Sequence, residues 1–396
     1  PAVEARAAGA ELLAVINASP FHAGKGDERE QAMRLRVLAT GLPLVYAHLV
    51  GGQDEIVFEG RSFALDRDGA LAARAPSFAE DLFTVSLSSP AEAAAGPSHF
   101  GLTGPIAPEA SLEADLWHAL VLGVRDYVGK NGFPGALLGL SGGIDSALVL
   151  AIAVDALGAD KVRAVMMPSP YTADISWIDA REMAARMGVR YDEISIKPEF
   201  ESFLGSLDPL FEGRPFDTTE ENIQARIRGT LLMALSNKFG SIVLTTGNKS
   251  EMSTGYCTLY GDMAGGFAVI KDVVKTMVFK LAWWRNANDP YGTGANPIPE
   301  RIITRPPSAE LRPDQKDQDS LPPYEVLDAI VQRYMEDDQS PAEIIAAGYP
   351  QAAVDQVVRL IRFNEYKRRQ SPVGIRVTHR SFGKDWRYPN TNRYRA

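Results

Sequence analysis

The chain has 396 residues, 45% hydrophobic and 23% charged, with a net charge of −9, the composition of a globular protein with room for two or three cores. No apolar run is long enough to span a bilayer, Pro1-Ala2-Val3-Glu4 opens no signal peptide, and the single Cys257 excludes an internal disulfide. These features predict a cytoplasmic protein without a membrane partner, and five scattered histidines offer no zinc site.

In residues 1–83, segments 12–16, 44–50 and 56–58 read as strands and 28–40 as a helix, with turns at Gly51-Gly52 and at 66–69. Residues 84–111, rich in Pro, Ala, Ser and Gly, read as a linker, and a domain spanning 112–396 follows. It opens on a helix from Leu112, then a buried strand at 135–140 and a helix that fades at Gly158. Strands at 162–167, 191–196 and 242–246 alternate with helices around 177–187 and 220–237. A Pro-rich excursion over 296–323 precedes helices at 324–336 and 341–369. The alternation predicts the α/β class, a parallel sheet wound on both faces with ligands at the carboxyl ends of the strands.

Charge is unevenly distributed. From Arg359 onward eleven Lys/Arg stand against two Asp/Glu, leaving −18 on the remainder. Phe382, Trp386, Tyr388 and Tyr394 interleave the basic residues, so this tail reads as an ordered segment near a phosphate-bearing ligand. The acidic remainder would repel a polyanion, which argues against nucleic acid.

The most informative stretch is Leu138-Gly139-Leu140-Ser141-Gly142-Gly143-Ile144-Asp145-Ser146. A strand, a small-residue turn and a helix start make a phosphate cradle, because backbone N–H groups and the positive helix end converge while glycines admit an anion closely. Asp145 adds a carboxylate where phosphate-bound Mg²⁺ needs one. It is not a Walker loop, since no Gly-Lys-Ser/Thr follows. The 242–246 strand ends in Gly247-Asn248-Lys249-Ser250-Glu251 and emerges on the same sheet edge if the sheet is parallel. Thr246 and Lys249 would then offer a hydroxyl and a cation to phosphates, and Glu251 a second carboxylate.

The glycine loop resembles the pyrophosphate loop of the ATP pyrophosphatases, of the adenine nucleotide alpha hydrolase-like type. Five segments in order, 138–146, 167–172, 221–226, 245–251 and 255–262, resemble NAD⁺ synthetase, and the terminal 382–389 and 391–395 match its glutamine-dependent class. Segments 17–22 and 51–55 resemble the second half of that family's nitrilase-like α-β-β-α glutaminase domain. The resemblance implies a ligase that makes NAD⁺ from deamido-NAD with ATP through an adenylate, releasing AMP and pyrophosphate, with ammonia supplied from glutamine in the full-length enzyme. It places ATP on Leu140, Ser141, Gly142, Gly143, Ile144, Asp145, Ser146, Thr246 and Lys249, with Asp145 and Ser146 catalytic and Mg²⁺ on Asp145 and Glu251. Deamido-NAD falls to Asn222, Glu251, Tyr256, Cys257, Thr258, Leu259 and Lys384, so Glu251 carries two alternative roles. Leu259 stands where the short ammonia-dependent enzymes have lysine, leaving only a backbone contact. Ser19 and Lys25 match positions that hold glutamine.

The family's glutaminase triad of Glu, Lys and a nucleophilic Cys precedes the Ser19 position, and none of the three is found there. The chain is therefore expected to be part of a longer protein, to use free ammonia rather than glutamine, and, by the family's habit, to form at least a homodimer. Rival readings are a GMP synthetase, whose terminal domain has no counterpart here, and a thiolating tRNA-modifying adenylase, which a lone cysteine argues against. A non-catalytic nucleotide-binding regulator on the same fold is the third, and two carboxylates on one sheet edge favour metal chemistry over it.

Overall fold

The computed structural model describes residues 1–88, 101–313, 315 and 317–391. The chain packs into two compact units, Pro1–Gly123 and Val124–Ala396.

In the first unit, strands Leu13–Asn17 and Leu44–His48 run parallel, and Phe63–Leu65 and Leu71–Arg74 extend the sheet antiparallel. Helix Lys25–Thr40 lays Val37 against Leu44, Tyr46, Phe63 and Leu65. The strand expected over 44–50 breaks at Leu49, and Val50–Gln53 pairs with Ile56–Glu59 in a separate ribbon. Gly51 and Gly52, expected in a turn, lie inside that ribbon, and Asp54 makes the turn with φ of 54°. A short polar side chain that bonds locally tolerates this left-handed geometry, so no glycine is needed there. Leu13–Asn17 is the outermost strand of its sheet, with Ile16 93% exposed. Within the expected linker, Ser86–Ser88 pairs with Gly101–Thr103, while 89–100 lies outside the described residues.

The second unit is built on a parallel sheet in the order Arg190–Glu193, Val162–Met166, Ala136–Gly139, Ile242–Thr245, Phe267–Ala268. From the central Ala136–Gly139 the chain steps outward to one side, then returns to fill the other. The direction of winding therefore reverses between Ala136–Gly139 and Ile242–Thr245, and a crevice opens beyond their carboxyl ends. Helices Lys197–Phe211 and Thr218–Phe239 cover one face through Phe200, Ile223, Ile227 and Leu232, which meet Leu137, Val165 and Val243 of the sheet. Helices Ile144–Leu157 and Asp174–Met187 pack on the sheet and on each other. Ile144–Leu157 is apolar almost all round and almost wholly buried, as a helix between a sheet and another helix must be.

Two long helices, Lys197–Phe211 and Lys275–Ala287, were not expected from the sequence, nor were the short Ala2–Ala7 and Glu300–Thr304. Pro198 is harmless in the first turn of Lys197–Phe211. Lys275–Ala287 buries Lys275 and Arg285 beside Val278, Leu281 and Ala282, so charge interrupts its inward apolar stripe. The single helix expected over 341–369 is three, Pro341–Ala346, Gln351–Phe363 and Glu365–Arg368, divided first at Gly348, whose φ is 100°. The first two join Tyr324–Met335 and Lys249–Thr254 in a second apolar cluster around Leu327, Ile330, Val354 and Ile361. Among the described residues no helix is long and apolar enough to cross a membrane.

Helices Ile144–Leu157 and Lys275–Ala287 are tied by a fully buried pair. Arg285 reaches Asp155 with Nε at 2.8 Å and a terminal nitrogen at 3.1 Å, and Thr293 donates to the same carboxylate. Asp155→Ala should lower unfolding free energy by about 3 kcal/mol in urea titrations, because it leaves the buried guanidinium only Asp289, at 3.3 Å, as a counter-charge. Asp155→Leu combined with Arg285→Met should recover most of that loss, since no charge is then left buried.

Candidate active site

Beyond strand Ala136–Gly139 the chain closes a loop on its own hydroxyls. The Ser141 N–H donates to Ser146 Oγ at 3.2 Å, Ser146 Oγ donates to the Gly143 carbonyl at 3.0 Å, and the Gly143 N–H donates to Ser141 Oγ at 3.2 Å. Gly142 has φ of 79°, and a Cβ there would collide with the Ser176 carbonyl, so only glycine fits. Gly143 caps helix Ile144–Leu157 without a side-chain bond, which leaves the positive helix end open to an anion.

The facing wall is the first turn of helix Lys249–Thr254. Asn248 accepts the Glu251 N–H at 3.0 Å, and Glu251 Oε2 accepts the Asn248 N–H at 3.1 Å, a reciprocal cap. The amide of Asn248 also donates to Asp145 Oδ1 at 2.9 Å, joining the two walls. Lys275 pairs with the other Asp145 oxygen. Burial, then the Asp145 charge, push the Glu251 carboxyl well above its usual range, with Lys275 opposing. Burial works against the Lys275 ammonium, but Asp145 and Glu251 outweigh it and its pKa is raised. Asp317, held by the Tyr324 hydroxyl at 2.7 Å, is a third carboxyl beside the group, raised mainly by burial.

These residues line one cavity of about 330 Å³ at the carboxyl ends of the strands. Leu140, Ser141, Gly143, Ile144, Asp145, Ser146, Thr246, Glu251, Tyr256 and Cys257 reach it, whereas Gly142 does not line it and gives its carbonyl to Arg305 at 2.9 Å. Lys249 requires a correction. Its ammonium does not face phosphates but lies fully buried, 2.9 Å from Asp272 and 2.8 Å from Glu336, with Thr378 and the Arg380 carbonyl completing its shell. The ammonium that reaches the cavity is that of Lys275, which no motif in the sequence marks. Arg228, Arg305 and Asp317 were also missed, and they too reach the cavity.

The other expected contacts divide. Asn222, on helix Thr218–Phe239, accepts from Thr258 Oγ1 at 2.8 Å, and the Thr258 N–H donates to Asp262 at 2.6 Å, so both brace the turn that carries Tyr256 and Cys257 without lining the cavity themselves. Burial pushes Asp262 up to about 6. Burial also raises the Cys257 thiol, which keeps it protonated and unreactive. Leu259 faces a separate hollow with Met233 and Tyr260, and its carbonyl accepts from Arg226 at 3.2 Å. Lys384 is exposed and outside the cavity. Around it the tail is ordered, with Trp386 packed 5.6 Å from Tyr334 and 5.2 Å from Tyr388, while Tyr394 and the 392–395 part of its motif lie outside the described residues. In the first unit Ser19 Oγ accepts from Arg29 at 3.2 Å and lies 3.4 Å from His48, whereas Lys25 turns to Glu28 at 3.1 Å. Burial, then the Arg29 charge, lower His48 to about 4, which keeps the imidazole neutral.

Among the described residues no three His, Cys, Asp or Glu side chains are arranged to hold a metal by themselves. The donor set nonetheless suits Mg²⁺, which takes one or two carboxylates and completes its shell with substrate phosphates and water. Asp145 and Glu251 repel each other across the cavity, and the Lys275 ammonium already stands between them as a cation.

The chain matches the family model described as NAD synthase over residues 116–371, and that described as carbon-nitrogen hydrolase over 2–95. It is 53% identical over 385 residues to the glutamine-dependent NAD(+) synthetase of Acinetobacter baylyi, covering 97% of this chain and 69% of that protein. The chain belongs to the glutamine-dependent NAD⁺ synthetases. The Xanthomonas campestris synthetase is 50% identical, with 98% of this chain and 68% of that protein covered. The glutamine-dependent NAD⁺ synthetase of Acinetobacter baumannii, solved in complex with adenosine diphosphate, is 49% identical with a TM-score of 0.69, over 96% of this chain and 68% of that one. At 22% identity, the Cytophaga hutchinsonii synthetase shares the fold, with a TM-score of 0.78 over 98% of this chain and 70% of that one. Membership makes the chain a ligase of NAD synthesis, with a synthetase region and a nitrilase-like region.

The two lysines should separate by measurement. Lys249→Met leaves Asp272 and Glu336 facing each other unpaired, so urea unfolding should show a loss of about 3–5 kcal/mol. Lys275→Met leaves Asp145 beside open cavity, so the loss should stay near 1 kcal/mol.

Proposed function

We propose that the chain adenylates the nicotinate carboxylate of deamido-NAD with ATP and then amidates it to NAD⁺. A carboxylate oxygen attacks the α-phosphorus, the bond to the bridging oxygen breaks, and pyrophosphate leaves. Ammonia then attacks the acyl carbon, a C–N bond forms, AMP departs and the nitrogen loses its proton. Glutamine is the proposed source of that ammonia, as the name of the family has it. The observation that carries this reading is the convergence of the Ser141–Ser146 loop, Asp145, Glu251 and Lys275 on one cavity.

The first step drives two anions together, so its barrier is electrostatic, and fixed dipoles with cations at the leaving phosphates lower it. Backbone N–H groups at the start of helix Ile144–Leu157 would hold the phosphates, with Thr246 and Lys275 beside them. Ser146 acts by bracing the loop. Asp145 would hold Mg²⁺, with Glu251 as second ligand or as a contact to deamido-NAD, and the ion would supply positive charge to offset that of the departing pyrophosphate. Asn222, the 256–259 turn and Lys384 are the proposed deamido-NAD contacts, Ser19 and Lys25 those for glutamine, and a homodimer is the proposed assembly.

The test is pyrophosphate release from ATP with deamido-NAD as acceptor, which neither a GMP synthetase nor a tRNA-modifying adenylase would support. Asp145→Asn should cut that rate roughly 10²- to 10³-fold with little change in melting temperature, on the scale of losing one preorganised charge contact. Near-normal release by the folded variant would remove Asp145 from the metal site.

A further inference from the structure

Arg228 lies on helix Thr218–Phe239 in a stripe with Ala225, Gly229 and Leu232, all of which line the cavity. Its Nε donates to the Met167 carbonyl at 2.9 Å, just past the end of strand Val162–Met166. Among the described residues its remaining N–H groups find no hydrogen-bond partner and no carboxylate forms an ion pair with it; Glu310 and Asp262 act only from a distance. Burial lowers its pKa to about 10, yet the side chain keeps accessible surface, and that surface opens onto the cavity. A guanidinium has five donors, and those of Arg228 that open onto the cavity are free to meet a ligand's acceptors.

The position selects the acceptor. The elements suited to phosphate, the Ser141–Ser146 loop and Lys275, gather around Ala136–Gly139 and Ile242–Thr245. Arg228 stands at the neighbouring strand, where Val165, Met167 and Leu232 make apolar walls. Gly229 keeps that end open by letting the 260–261 backbone close to where a Cβ would stand, 2.8 Å from the Gly261 carbonyl. Apolar walls offer a polyphosphate nothing, whereas they cover the faces of a heteroaromatic base, whose ring nitrogens accept N–H donors. We propose that Arg228 is a specificity-determining residue for the nucleotide base, donating N–H groups to the ring nitrogens of adenine. This rests on the ATP-dependent reading above.

The experiment measures binding of ADP and of inorganic pyrophosphate to the full chain by thermal shift, in wild type, Arg228→Met and Arg228→Lys. Arg228→Met should weaken ADP about ten-fold or more while leaving pyrophosphate unchanged. The melting temperature without ligand should hold or rise, because an unpartnered buried charge is gone. Arg228→Lys keeps the charge without the planar fork and should restore ADP binding only in part. In steady state Arg228→Met should raise KM for ATP and not for deamido-NAD. Equal ADP binding by wild type and Arg228→Met, loss of pyrophosphate binding as well, or a rise confined to KM for deamido-NAD would each overturn the assignment. Absence of any ADP response in the wild type would overturn the ATP-dependent reading and this assignment with it.

Discussion

Two charge pairs joining the same two helices set the geometry on which the site depends. Asp145 and Asp155 lie ten residues apart on Ile144–Leu157, and Lys275 and Arg285 lie ten apart on Lys275–Ala287. At 1.5 Å rise per residue both separations are about 15 Å, so the helices run parallel and in step, with both amino ends at the cavity. The lower pair is dry and surrounded by donors, so its role is to hold the helices in register. The upper pair has the same chemistry but opens onto the cavity, with Asp145 17% exposed. Environment, rather than residue type, separates the structural pair from the functional one.

The carboxyl groups at the upper end place an excess of negative charge beside Lys275. Asp145, Glu251 and Asp317 converge with Lys275 as the nearby counter-charge, and Glu251 is driven towards its protonated form. A polyphosphate entering this group adds further negative charge in a poorly solvated space. Such a pocket accepts it only if a cation enters too, or if Lys275 releases Asp145 to the cation and turns to the phosphates. Both changes are local, because Asn248 fixes one Asp145 oxygen and the capping bond fixes one Glu251 oxygen.

The glycine loop was legible in the sequence because backbone conformation encodes it, through a strand, a glycine forced to positive φ and a helix start. Strands Ala136–Gly139, Val162–Met166 and Ile242–Thr245 were legible as apolar runs, and their parallel sense followed from the alternation. The polar Arg190–Glu193, by contrast, starts and ends earlier than expected, and the two-residue Phe267–Ala268 was not seen. Lys249 was misplaced for a reason of helical phase. Lys249 and Glu251 are two residues apart in one turn, so their side chains point about 200° apart. Once Glu251 faces the cavity, Lys249 must face the protein interior, and there Asp272 and Glu336 receive it. Gly51-Gly52 misled in the opposite way, since the residue that actually turns is Asp54.

What remained invisible has a common physical character. The acidic and backbone parts of the site come from short side chains and main-chain N–H groups, which must originate on the loops beside the ligand. Their spacing is therefore local and survives as a motif. The cations reach the cavity on long, flexible stems, so their Cα atoms can sit on almost any element packed nearby. Lys275, Arg228 and Arg305 come from one helix beside the loop helix, one on the opposite face of the sheet, and the residue that ends helix Glu300–Thr304. Nothing in the local sequence of any of them announces a ligand, and in Lys275–Ala287 the charge even conceals the helix. Motif reading thus recovers the glycine loop and the carboxylates beside it, while the cations that join them at the cavity emerge only once the chain has folded.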